Sequence, residues 1–336
     1  MLNKKISEKL NVDNPMLHPP FPKKNLLIEI TNACNNKCVF CANRVMTRKL
    51  GMIDSQLLYR VLHDAFDLGT REVGFYATGE PLLNKNIYTY IKKAKEVGYE
   101  YIYITTNGIL ANLDNVKKLY GSGLNSIKFS INGIDENDYK FACGSDNFSK
   151  VMENLIAVYN WKKQFNIPMN IFVSCIITKY TKQSKEKIKS FFDNYCDESS
   201  IQEVKNQGGM LPEIDKELLC NDVDSAYKIN LPCNYPFNSV VVSYEGYLTS
   251  CCMDFQNYLA YADLNYYTLK DAWDNDKIVE LRMKHICSNV NSTLCEGCVN
   301  NKLTNIKPLD DVLYSPMNIE LINNDSYIKE KIKECY

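Results

Sequence analysis

Residues 26–41 read LLIEITNACNNKCVFC. The run opens on Leu26, Leu27, Ile28 and Ile30, a density of apolar residues that predicts a buried strand over 26–30. Cys34, Cys38 and Cys41 follow directly, spaced C-x-x-x-C-x-x-C. Three thiolates at this spacing can hold three corners of a [4Fe–4S] cube, and the fourth iron then has no protein ligand within the motif. An open coordination position is what a metal needs to bind a reactant. A zinc loop completed by a distant ligand is the alternative for an isolated pair of cysteines. A position directly after a strand, at the mouth of a βα array, favours chemistry instead.

That array is legible downstream. Further strands are expected at 72–77, 101–105, 126–131, 169–177 and 201–205. Helical patterns lie between them near 54–68, 86–97, 113–120, 148–165 and 184–194, and Ser55, Asn86 and Ser184 stand near the expected helix starts. Repeated βα units imply parallel strands with helical crossovers. Six such units predict an α/β fold with a partial (β/α)6 barrel over residues 25–212. In barrels the chemistry gathers at the C-terminal ends of the strands. Residues 1–24, ending in His18-Pro19-Pro20-Phe21-Pro22, read as a mobile or loosely docked arm. Residues 213–300 read as a small Cys-rich appendage, with a hairpin over 239–249 turning at Glu245-Gly246 and a helix over about 269–285. Residues 301–336 form a tail without a site signal.

The 336 residues are 45% hydrophobic, enough for one large core with a small addition, and the net charge of −1 gives no basic excess for nucleic acid. The local run 179–189, KYTKQSKEKIK, alternates charge with polar residues and reads as a solvated helix face. MLNKKISEKLNVDNP at the start has no apolar core of signal-peptide length. No run reaches the roughly 18 apolar residues of a membrane span. A cytoplasmic location without membrane contact is therefore expected. Fourteen cysteines are then better explained, where they cluster, by metal chemistry than by disulfides.

With these residues in place, the chain resembles the radical S-adenosylmethionine (SAM) superfamily. The family motif CxxxCxφC has an aromatic residue before the last cysteine, and Phe40 fills that place. The resemblance implies that the open iron binds the amino and carboxylate groups of SAM. One electron then splits SAM to a 5′-deoxyadenosyl radical, which takes a hydrogen atom from the substrate. It also implies a flavodoxin- or ferredoxin-type electron donor. Thr78-Gly79-Glu80-Pro81 resembles the family's GGE motif with threonine in place of the first glycine. Glu80 would face the SAM ammonium; a helix-capping carboxylate before Pro81 is the other reading. Asn107, in Thr106-Asn107-Gly108, resembles the turn after the third strand. Ser130 and Asn132, on one face of the fourth strand by alternation, resemble SAM-contacting positions. Hydrogen bonding to loop backbone is the alternative for both. Asn206, at the end of the sixth strand, is a further candidate for SAM or substrate contact.

A second set follows. Cys233 is separated by twelve residues from Gly246, which is separated by four residues from Cys251, and Cys295-x-x-Cys298 comes later. Four thiolates close a cluster with no open iron. On spacing alone a four-cysteine zinc ribbon serves equally. After a radical SAM barrel, however, C-x(9–15)-G-x4-C resembles the SPASM/twitch auxiliary domain in its shorter form. That implies a second [4Fe–4S] cluster, two per chain, with a spacing like that of 2-deoxy-scyllo-inosamine dehydrogenases. Cys252 adjoins Cys251 and competes with it as ligand; the spacing from Gly246 favours Cys251.

The resemblance implies an oxidoreductase acting on a small carbohydrate-like molecule, such as a sugar, nucleotide sugar or cyclitol. The auxiliary cluster would accept an electron as an alcohol carbon becomes a ketone. Epimerisation is the competing outcome and needs a thiol that returns a hydrogen atom. Cys143, expected in the loop after the fourth strand, is the candidate donor, and Cys252 is also near; Cys175 is expected to face a helix. Peptide modification is the other alternative. Such relatives often carry N-terminal recognition domains, for which residues 1–25 are too short.

Overall fold

The computed structural model describes residues 16–211, 217–219, 231–300, 305–323 and 326–335. Six strands, β1 (Leu26–Ile28), β2 (Glu72–Gly74), β3 (Tyr101–Thr106), β4 (Ser126–Ser130), β5 (Asn170–Ile177) and β6 (Glu198–Glu203), lie side by side in chain order. Every neighbouring pair among them is parallel. The crossovers are helices such as Ser55–Asp67, Ile87–Val97, Leu113–Gly121, Phe148–Phe165 and Lys185–Phe192. This is the expected partial barrel. Its sixth strand starts at Glu198 rather than at 201, because Asp197 and Ile171 exchange hydrogen bonds that open the ladder there.

Local chemistry sets the helix starts. Asp54, Asn112, Asp135 and Ser184 each accept a backbone N–H two or three residues into the helix they precede, worth about 1 kcal/mol apiece. Asp54, not Ser55, is therefore the first cap; Ser55 bonds Tyr90 instead. Asn86 occupies a cap position without a side-chain bond, while Ser184 caps as expected. The helix Glu136–Cys143 is not signalled by periodicity; Asp135 starts it and Gly144, at φ 65°, ends it. Cys143 thus sits in a helical turn and not in a loop.

The appendage joins the barrel through its sheet. β7 (Val240–Val242) pairs parallel to β1, with Leu26 opposite Val240, and β8 (Tyr247–Thr249) and β9 (Ala260–Asp263) continue antiparallel. One nine-stranded sheet therefore runs from the barrel into the Cys-rich segment. The helix expected over 269–285 is two, Leu269–Ala272 and Asp276–Ile286, the second capped by Asn275. Residues 16–24 are docked rather than loose: Trp273 donates to the Pro19 carbonyl at 2.8 Å, Arg282 to Leu17 at 2.9 Å, and Phe21 packs edge-on against Trp273. Residues 1–15 and the expected boundary at 212 lie outside the described residues. Among the described residues, no helix is long and apolar enough to cross a membrane.

Candidate functional site

The first thiol set sits on the loop leaving β1. Cys34 is exposed, Cys38 and Cys41 are half-buried, and Phe40 is buried beneath them. The loop is braced from outside. Lys37 N–H donates to the Cys143 carbonyl at 3.1 Å and Val39 N–H to Ala142 at 3.0 Å. The Arg44 guanidinium bonds the carbonyls of Cys38, Val39 and Cys41. Tyr327 donates to the Lys37 carbonyl at 2.6 Å and lies against Arg44. Tyr327 belongs to the tail that carries no signal in sequence; only packing brings it here.

Beside this loop stands the segment after β2. Gly79 approaches so closely that a Cβ there would fall 2.3 Å from the Thr31 carbonyl oxygen and 2.6 Å from that of Ala33. Glu80 is buried and caps the short turn Pro81–Leu83 through Leu82 N–H at 3.0 Å. It also accepts from Thr106 Oγ1 at 2.8 Å and Asn107 N–H at 2.7 Å. Burial pushes its carboxyl up to about 7, against the lowering effect of these donors. The capping reading is therefore realised, and the same carboxylate still stands beside the thiol loop. The Asn107 side chain reaches Asn35 at 2.6 Å and Cys34 Sγ at 4.0 Å. Thr78 points elsewhere, its hydroxyl donating to Glu29. Glu29 in turn meets Arg48 at 2.5 Å, and Arg48 meets Glu245 at 2.5 Å. This buried ion group ties β1 to the hairpin turn.

Other candidates are engaged structurally. Asn132 accepts from Ile176 N–H at 2.9 Å and donates toward Cys143 Sγ at 3.6 Å. Ser130 pairs in register with Ser174 and is half-buried. Asn206 donates to the Gly297 carbonyl at 2.9 Å. Cys143 is fully buried in the outer helix with its thiol against Cys38, and Cys175 is a buried core residue.

The second set converges. Cys233, Cys251, Cys295 and Cys298 all line one cavity, shared with Tyr235, Met253 and His285. Cys295 and Cys298 ride the helix Leu294–Asn300, which packs against residues 207–209 at the end of the barrel. The fit is so close that a Cβ on Gly297 would fall 2.1 Å from the Gly208 carbonyl oxygen. Burial raises the Cys295 thiol well above its ordinary value and pushes Cys298 up to about 11. Without a metal these groups are neutral thiols. Cys252 does not line that cavity. It borders a smaller one with Thr78, Arg48 and Asp254, which Cys251 borders too, and its thiol lies 3.8 Å from Tyr235 Oη. Tyr76, Tyr103 and Lys128 from the barrel strands stand on that same side. His285, which no motif signals, accepts from Cys233 N–H at Nδ1, 3.2 Å away, and burial holds it down at about 4.

The donor sets suit iron–sulfur clusters. One loop offers three thiols beside the closely packed Gly79 turn; one cavity is bordered by four. Among the described residues, no three His, Cys, Asp or Glu side chains meet closely enough to chelate a single ion, and the twelve cysteines whose side chains are described are free of disulfides.

The comparisons agree. The radical SAM superfamily profile matches residues 28–169, and that of an iron–sulfur cluster-binding domain, SPASM, matches residues 233–299. An S-adenosyl-L-methionine-dependent 2-deoxy-scyllo-inosamine dehydrogenase of Niallia circulans is 26% identical over 85% of this chain and 96% of its own length. An uncharacterised protein of Methanocaldococcus jannaschii is 27% identical over 58% of this chain, which spans 60% of that relative. The crystal structure of native anSMEcpe with bound AdoMet superposes with a TM-score of 0.58 at 17% identity, covering 92% of this chain and 95% of that one, which speaks for the fold. The two domains bring with them a [4Fe–4S] cluster with SAM and an additional auxiliary cluster. The chain thus carries a radical SAM domain at residues 28–169 and a SPASM iron–sulfur cluster-binding domain at residues 233–299.

Proposed function

We propose that this enzyme oxidises a small polyhydroxylated molecule. In this reading Cys34, Cys38 and Cys41 hold the SAM-cleaving cluster, and Cys233, Cys251, Cys295 and Cys298 hold the auxiliary one. The observation that carries it is the convergence of four half-buried thiols on one cavity that Cys252 does not line. When bound, the open cluster with SAM supplies a hydrogen-abstracting radical, and the thiolate-closed cluster supplies an electron acceptor. The protein's part is placement. Gly79 lets the segment after β2 pack directly against the thiol loop, Glu80 offers a carboxylate to the SAM ammonium, and Asn107 orients Asn35 next to Cys34. Tyr76, Tyr103 and Lys128 line the side that faces Cys252 and give hydroxyl and ammonium donors for a polyol. The Niallia circulans relative supports a cyclitol or sugar, with a carbinol carbon becoming a ketone. A flavodoxin or ferredoxin would supply the reducing electron.

The test is anaerobic reconstitution with iron and sulfide, followed by reaction with SAM and reductant against 2-deoxy-scyllo-inosamine and a sugar panel. Ketone should form in step with 5′-deoxyadenosine. Replacing Cys34, Cys38 and Cys41 by Ala should abolish that release; persistent release, or bound zinc without iron–sulfur absorbance, would refute the assignment.

Epimerisation is the second reading, and one observation bears on its donor. Cys252 faces the barrel side beside Tyr235, whereas Cys143 is buried behind Cys38. If a thiol returns hydrogen, Cys252 is the better placed. Loss of solvent-deuterium incorporation in Cys252→Ala, with retention in Cys143→Ala, is the expected pattern.

A further inference from the structure

His285 is 1% exposed and closes the helix Asp276–Ile286. Its ring is fixed from two sides. Cys233 N–H donates to Nδ1 at 3.2 Å, and Phe237 packs edge-to-face with centroids 6.3 Å apart. An imidazole that accepts at Nδ1 carries its proton at Nε2. That Nε2–H is buried and has no hydrogen-bond partner. A buried donor left unmade is costly, because it has given up water for nothing, so an acceptor is missing from its surroundings. His285 lines the same cavity as Cys233, Cys251, Cys295 and Cys298. Ser250 also lines that cavity and its own hydroxyl is unpaired too.

We infer that His285 is a positioning residue that donates from Nε2 to a sulfur of the auxiliary cluster and thereby raises its reduction potential. The inference rests on the assignment of those four cysteines as ligands. Hydrogen bonds to cluster sulfurs withdraw electron density and favour the reduced state, and outer partners of this kind tune metal sites. The four thiols already supply one ligand per iron, which leaves the imidazole the role of donor. Its second contact, to Cys233 N–H, also fixes the backbone of a ligand.

The experiment uses the full chain carrying Cys34→Ala, Cys38→Ala and Cys41→Ala, reconstituted anaerobically, so that only the auxiliary cluster contributes signal. His285→Asn keeps an acceptor near Cys233 N–H and removes the Nε2 donor. His285→Gln restores an N–H near Nε2. Iron content should be unchanged in both. The midpoint potential, followed by EPR, should fall in His285→Asn by about tenfold in the reduced-to-oxidised ratio, about 59 mV for one electron. His285→Gln should recover part of it, and a nitrogen coupling in the reduced EPR signal should vanish in His285→Asn. An unchanged potential with the cluster intact overturns the inference, as does loss of iron in His285→Asn alone. Absence of iron with His285 present is a different result: it refutes the ligand assignment and takes the inference with it.

Discussion

Asn206, just past the last barrel strand, donates from Nδ2 to the carbonyl of Gly297, which lies between Cys295 and Cys298, at 2.9 Å. Both groups are buried. The bond locks the helix that carries two auxiliary thiols to the open end of the barrel. Asn206→Ala leaves that carbonyl unsatisfied and should cost about 1–3 kcal/mol in urea unfolding. Auxiliary iron per chain should fall while the first cluster is retained. Equal loss of both clusters would point to general unfolding instead.

Arg48 is buried between Glu29 and Glu245. Both carboxylates hold its charge in place against the cost of burial. Arg48→Met strands two acids, one of them fully buried, and should destabilise by about 3–5 kcal/mol. Adding Glu29→Gln should recover part of that loss, because the remaining buried group is then neutral. Additive losses in the double variant would show that the two residues are not coupled.

Glu80 titrates at about 7 in the SAM-free fold, above its ordinary 4.5, because burial disfavours the charge. Below about 7 it holds its proton, and pairing with an ammonium must first remove it. SAM affinity measured by calorimetry should therefore rise with pH, by up to about tenfold per unit, and level off above about 7. The same shift means that ionisation destabilises the SAM-free fold as pH rises from about 4.5 to about 7. Glu80→Gln should bind SAM weakly with a flat pH profile; a profile that still rises would assign the titration elsewhere.

Two glycines give opposite expectations. Gly79→Ala forces a Cβ against the Thr31 and Ala33 carbonyls. It should destabilise by about 1–3 kcal/mol and impair SAM binding. Gly121 closes a helix, and a Cβ there meets nothing within 4 Å. Gly121→Ala should gain about 0.5–1 kcal/mol from helix propensity, read as a raised melting temperature. Similar effects from the two would show that space at Gly79 is not the constraint.

The order of βα units, the hairpin that follows them and both sets of thiols are legible in the residues alone. Strand alternation, cap residues and cysteine spacing are local, and each acts within a few residues of chain. Glu80 and Asn107 are also legible beside the first loop, because both end strands of a parallel array. Where neighbours in sequence point is settled only by packing. Cys251 and Cys252 are adjacent and border one small cavity together, yet of the two only Cys251 also lines the four-thiol cavity. Asn206 is legible as a residue at a strand end but not as a clamp on Gly297. Cys143 is legible as a thiol near the site but not as part of a helix bracing Cys38 from behind. His285 and Tyr327 carry no signal at all. Their roles come from contacts to Cys233 and Lys37. Contacts across such separations are set by how buried surfaces fit together in three dimensions, and no local periodicity records them.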